Sequence, residues 1–150
     1  DFDVPTGSAG GIAKFYREIV GEPAQVKSRG GVAAHVMVGY EQHLIFTETR
    51  RRIAPFDGHH IQVYVADFSG PYDRLRERGL ISEESSQHQY RFEDIVDPDT
   101  GKVLFTLDHE MRSLTHPLYA RPLVNRNPDQ TNAQFGAGHE LRSWALPWSG

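Results

Sequence analysis

The sequence contains no cysteine in 150 residues, which excludes disulfide scaffolds, thiol nucleophiles and cysteine-ligated zinc. It has no long apolar run either, so no segment is expected to span a membrane. A basic surplus is also missing: 16 lysines and arginines face 20 acidic residues, a net charge of −4 that argues against nucleic acid as a partner. Methionine and tryptophan occur only twice each. What is present is an ordinary globular composition, 38% hydrophobic with 14 glycines besides, of a length suited to one domain or two small ones sharing a core. The chemical surplus is histidine, with eight copies. These traits lead us to expect a globular cytoplasmic protein.

Two helices are legible. Ile12, Phe15, Tyr16, Ile19 and Val20 form one apolar stripe at helical spacing, predicting a helix over about 8–20 that Gly21 ends. A second is expected over about 70–78, with Ser69 as cap, Pro71 in the first turn and Gly79 at the end. Strands are expected at Ala33–Tyr40 and His43–Thr49, which form a hairpin, and at the alternating His60–Val65. Tyr90–Val96 and Val103–Leu107 are two more, divided by the turn sequence Asp97-Pro-Asp-Thr-Gly101. Gln25–Lys27 and Leu80–Ser82 are weaker strand candidates.

The elements repeat. Leu44-Ile-Phe-Thr47 matches Val103-Leu-Phe-Thr106 at an offset of 59, and the same shift carries His60 back to Asp1, which opens a strand-like Asp1–Val4. The order strand, helix, three strands therefore occurs twice, and both copies are needed to bury one core. From about His116 the texture changes to four prolines, a Gly136-Ala-Gly138 tract and no sustained period, an extended C-terminal arm ending near Trp144, Leu146 and Trp148. We therefore expect three segments: modules at 1–57 and 58–115, and an arm at 116–150.

Three stretches resemble the vicinal-oxygen-chelate superfamily, which includes glyoxalase I, bleomycin-resistance proteins and extradiol dioxygenases. They are Phe15-Tyr-Arg-Glu-Ile-Val-Gly21, Gly58-His-His-Ile-Gln-Val-Tyr-Val65 and Asp97-Pro-Asp-Thr-Gly101. The resemblance covers residues 1 to about 112 and implies an α+β fold, two βαβββ modules whose mixed sheet curls into a cup. It also implies a divalent ion in that cup, held by the first and fourth strands of each module, with open positions for a chelating substrate.

Carried over by position, the first-strand slots fall on Asp1 and His60. The fourth-strand slots, where a glutamate is expected, fall on Phe46 and Phe105, or on Thr47 and Thr106 after a slip of one residue. Glu48, two residues beyond Phe46, and Glu110, beyond Thr106, are the nearest carboxylates. The candidate metal ligands are thus His60, Asp1, Glu48 and Glu110, for iron, manganese, nickel or zinc, with a metal-free cup an equal alternative. Gln62 and Tyr64 share the face of His60 by strand alternation and are expected to line the ligand site with it.

The remaining candidates read more plainly. His35 is expected to be structural, His43 and His88 solvated, and His109-Glu110 a surface pair rather than an acid/base pair. Arg50-Arg-Arg52 reads as a solvated linker, and Arg74, Arg76 and Arg78 as an exposed helix face. Three functions follow: a metal-dependent lyase, isomerase or dioxygenase; a metal-free protein that sequesters a small molecule; or an interaction module acting through the aromatic arm. A homodimer is expected in each case, with a small-molecule ligand in the first two.

Overall fold

In the computed structural model, which describes residues 1–120, the apolar stripe of the first helix is buried throughout: Ile12, Phe15, Tyr16 and Ile19 are all at most 1% exposed. Helix α1 (Ala9–Phe15) runs on into a single π-helical turn, Tyr16–Val20. Gly21 closes it in the left-handed region, at φ +89°, where its N–H and that of Glu22 both reach the Tyr16 carbonyl. Helix α2 (Ser69–Glu77) starts one residue earlier than predicted. Ser69 lies inside it, and the capping carboxylate is that of Asp67, which accepts the Gly70 N–H at 2.9 Å.

Eight strands complete the unit: β1 (Phe2–Pro5), β2 (Ala24–Lys27), β3 (Ala33–Gly39), β4 (Gln42–Thr49), β5 (His60–Val65), β6 (Ile81–Ser86), β7 (Gln89–Val96) and β8 (Val103–Ser113). They form two four-stranded sheets of the same order, β1-β4-β3-β2 and β5-β8-β7-β6. In each, the first strand pairs parallel with the fourth and the other pairings are antiparallel. The two βαβββ modules and the α+β class are therefore as expected, and none of the described helices is long and apolar enough to cross a membrane.

One core serves both sheets. Phe15 packs against Phe92 of β7 at 5.8 Å between ring centres, and Tyr16 touches Phe46 of β4 and His109 of β8. Arg74 of α2, expected on an exposed face, instead donates from Nε to the Ile19 carbonyl at 2.7 Å and ties α2 to the π-turn. The Asp97 turn is an Asx turn: Asp97 Oδ1 accepts the N–H groups of Asp99 and Thr100 and the Thr100 hydroxyl. These backbone bonds, Thr100 foremost, hold the Asp97 carboxyl below the usual carboxylate range.

The main departure from expectation is β8, which runs to Ser113 rather than Leu107. A bulge between its pairings Phe92↔His109 and Asp94↔Thr106 inserts a residue and changes the face presented beyond it. The register on this strand also departs from the sequence repeat. Phe2 of β1 lies opposite Phe46, whereas its counterpart in the second module, Ile61, lies opposite His109. The 59-residue repeat in sequence is thus a 63-residue one on the fourth strand. That shift is larger than the one inserted residue, because the link from β7 to β8, Asp97–Lys102, is also longer than Tyr40–Glu41 between β3 and β4.

Candidate functional site

The face of the second sheet turned away from the core carries a line of polar side chains. Val63 and Val65 are buried, so His60, Gln62 and Tyr64 point the other way, as alternation predicts. Opposite them on β8 stand Asp108, Glu110 and Arg112 in turn. Behind β8, Arg91 of β7 lies opposite Glu110 and Gln89 opposite Arg112.

These groups form one ion-pair network. Arg91 donates from Nη1 to Asp108 Oδ2 at 2.5 Å and from Nη2 to Glu110 Oε2. Arg112 ion-pairs with Glu110 Oε1, donates from Nε to Gln89 Oε1 at 3.0 Å and from Nη1 to the Tyr64 hydroxyl at 3.1 Å, with its guanidinium 5.8 Å from the Tyr64 ring centre. Glu110 is 3% exposed and Asp108 8%. Two carboxylates at that depth would be costly alone, and the two guanidinium groups neutralise them. Burial opposes the charge of Arg91, but its hydrogen bond to Asp108 and the fields of Asp108, Glu110 and Glu83 outweigh that and raise its pKa.

A cavity of about 780 Å³ opens beside β1, lined by Asp1, Phe2, Asp3, Arg52, Phe56, Asp57, His59, Phe105 and Thr106 among others. Its walls are aromatic: Phe2 stacks on Phe46 at 5.2 Å and on His59 at 6.2 Å, Phe105 lies 6.2 Å from Phe2, and Phe56 lies 5.6 Å from His59. The floor is polar. Asp57 Oδ1 accepts the His59 backbone N–H at 3.0 Å and pairs with its ring, which lowers the Asp57 pKa. His59 is the histidine that lines this cavity, and His60 does not.

The other candidates are dispersed. Glu48 reaches α1, where its Oε1 accepts the Ala9 N–H at 2.9 Å and so satisfies one free donor at a helix start without an acidic residue of its own. Phe46 faces the core at 0% exposed, so in module one it is Thr47, opposite Asp3, that shares the outward face. Phe105 lines the cavity, and the place on β8 matching Thr47 is held by Glu110, opposite Gln62. His60, Asp1, Glu48 and Glu110 are thus not gathered, and among the described residues no three His, Asp or Glu side chains are grouped to hold a metal ion. A divalent ion does not fit this donor set.

His109, expected at the surface, is 1% exposed. Its ring stacks on Phe92 at 4.2 Å, its Nδ1 bonds the Leu107 carbonyl at 2.6 Å, and its Nε2 bonds the Tyr16 hydroxyl at 2.5 Å. Since Nδ1 faces a carbonyl it carries the proton, and Tyr16 donates to Nε2. Burial is the main cause that pushes the imidazole pKa down to about 4 and the Tyr16 phenol well above its ordinary value. Trp144 and Trp148 of the arm lie outside the described residues.

Comparison with solved structures bears on the fold. A glyoxalase family protein from Bacillus anthracis matches with a TM-score of 0.53 and 19% identity over 75% of this chain and 88% of that one. An antibiotic binding protein, TnmS3, from Streptomyces sp. CB03234 matches at 21% identity over 75% and 91%, with a TM-score of 0.47. Lactoylglutathione lyase from Agrobacterium tumefaciens matches at 16% over 74% and 89%, with a TM-score of 0.45. No protein-family model matches the sequence, and no curated protein matches it. The architecture is that of the glyoxalase, or vicinal-oxygen-chelate, fold.

Proposed function

We propose that this protein binds a small molecule in the aromatic cavity beside β1 and does so without a divalent metal. The observation that carries this reading is the fate of the fourth-strand carboxylates. Glu48 is engaged at the start of α1, and Glu110 is held by Arg91 and Arg112. Where the second module pairs His60 with Asp108 and Gln62 with Glu110, the positive charge beside the carboxylates is already built in as a guanidinium.

The lining supports a ligand class. Phe2, Phe56 and Phe105 offer flat apolar walls, while Asp1, Asp3 and Asp57 outnumber Arg52. A planar ligand carrying positive charge suits that balance, through ring stacking and a local negative field. A protein that sequesters such a molecule needs no reacting group in the cavity. The metal-dependent lyase, isomerase or dioxygenase remains the rival reading, and the homodimer belongs to this proposal as well.

Titration with thioflavin T, a planar cation, followed by its fluorescence, tests the reading, with the planar anion 8-anilinonaphthalene sulfonate for contrast. We expect saturable binding of the cation that survives EDTA, weakens with Phe105→Ala and weakens with Asp3→Asn. Binding that requires an added divalent ion, or that ignores both substitutions, overturns it.

A further inference from the structure

A second group of donors stands away from the cavity, on the outward face of the first sheet. On β3, Ala34 and Val36 are buried at 0%, so His35 and Met37 project from the opposite face, one strand period apart. On β4, His43 lies directly opposite Met37. Directly opposed residues have Cβ atoms about 4.5–5.5 Å apart and diagonal ones about 7–8 Å, so the two imidazoles and the thioether stand at the corners of a small triangle. All three line one cavity of about 290 Å³, together with Gln25, which lies opposite His35 on β2.

Three features set this group apart. Met37 is 45% exposed, an unusual place for a thioether with no core to fill. The side chains of His35 and His43 make no hydrogen bond or ion pair among the described residues, whereas those of His59 and His109 are both engaged. Met37 is also anchored, its N–H bonded to the Pro23 carbonyl at 2.9 Å, which fixes the backbone from which the thioether projects.

We propose that His35, Met37 and His43 form a binding site for a cuprous ion. Thioether sulfur with imidazole nitrogen is a soft set that selects Cu(I) over zinc or magnesium, and a chain without cysteine has no thiolate to compete for it. The charge agrees. Lys27 is close enough for its field to act on His35, and a monovalent ion meets half the repulsion that a divalent one would. His35 and His43, read from the sequence as structural and solvated, then share one role. This proposal does not depend on the ligand cavity beside β1.

The test is anaerobic competition with the coloured Cu(I) complex of bathocuproine disulfonate, using the full chain without a histidine tag. We expect the protein to withdraw one equivalent of Cu(I), and Met37→Leu, His35→Gln and His43→Gln each to weaken binding by about tenfold or more. His59→Gln should leave it unchanged. All four positions lie outside the core, and circular dichroism confirms that each variant is folded. Failure to withdraw copper overturns the proposal. So does withdrawal indifferent to the three substitutions, or binding that Met37→Leu leaves intact and zinc displaces equally, since that describes two histidines alone.

Discussion

Strands β4 and β8 close their sheets in the same way, each parallel to the first strand of its module, yet they fill matching positions with opposite chemistry. Phe46 and His109 are counterparts in register, and both touch the ring of Tyr16, at 5.6 and 5.8 Å between centres. On β4 the contact is purely apolar. On β8 it includes the Tyr16 hydroxyl bond to a fully buried imidazole. One residue later, Thr47 and Glu110 are counterparts again, a small neutral group against a carboxylate held by two arginines. A shared backbone plan therefore leaves each module free to decide where its polarity goes, provided that its buried charges are paired.

The largest break in this comparison comes from removing Arg91. Arg91→Met leaves Asp108 and Glu110 buried with one guanidinium between them, and we expect a loss of about 3–5 kcal/mol in urea unfolding. Adding Asp108→Asn should recover most of that, because Glu110 and Arg112 then remain as a balanced pair. Equal destabilisation of the double variant would mean that Arg91 acts by packing. On the other strand, Phe46→Ala should cost about 3–5 kcal/mol through its cavity, while Thr47→Ala stays within about 0.5 kcal/mol.

The second break concerns acid. His109 has a folded-state pKa near 4, below its ordinary 6.5. The unfolded chain therefore takes up a proton first as pH falls. The stabilising effect is fully present above about pH 6.5 and is lost on descending through the folded value, a span worth about 3 kcal/mol. His109→Phe, which makes β8 resemble β4, should flatten the stability profile between pH 6.5 and 4. At pH 7 it should cost about 1–3 kcal/mol, because Tyr16 loses its acceptor. Tyr16→Phe in the same background should restore part of that loss. An unchanged profile in His109→Phe would show that other groups govern acid unfolding.

The smallest effect is expected at Glu48. Glu48→Ala frees the Ala9 N–H at the start of α1 and should cost about 1 kcal/mol, with no change in thioflavin T affinity. A large loss of dye binding there would return Glu48 to the ligand site.

Periodicity made the fold legible: the stripe Ile12–Val20, the alternation His60–Val65 and the Asp97 turn all place their elements within a few residues. The site was less so, for physical reasons. Whether Phe46 or Thr47 faces outward depends on strand register, and the register of β8 is displaced by four residues from the sequence repeat, part of it by a bulge that has no local sequence mark. The acceptor of Tyr16 lies 93 positions away, beyond any local pattern. Arg91 looked like one residue of an ordinary strand, because its partners Asp108 and Glu110 lie beyond the predicted end of β8 at Leu107. His59 lies just ahead of β5, and its place in the cavity comes from stacking on Phe2 of β1, a contact that no local pattern shows.

Guanidinium groups, not a divalent ion, balance the carboxylates beside His60 in this reading of the site. Elemental analysis of protein equilibrated with iron(II), manganese, nickel and zinc and then desalted, alongside His60→Ala and Glu110→Gln, tests it directly. We predict no stoichiometric divalent metal whose retention depends on either residue. One equivalent of any of these ions that disappears in His60→Ala or Glu110→Gln would contradict it.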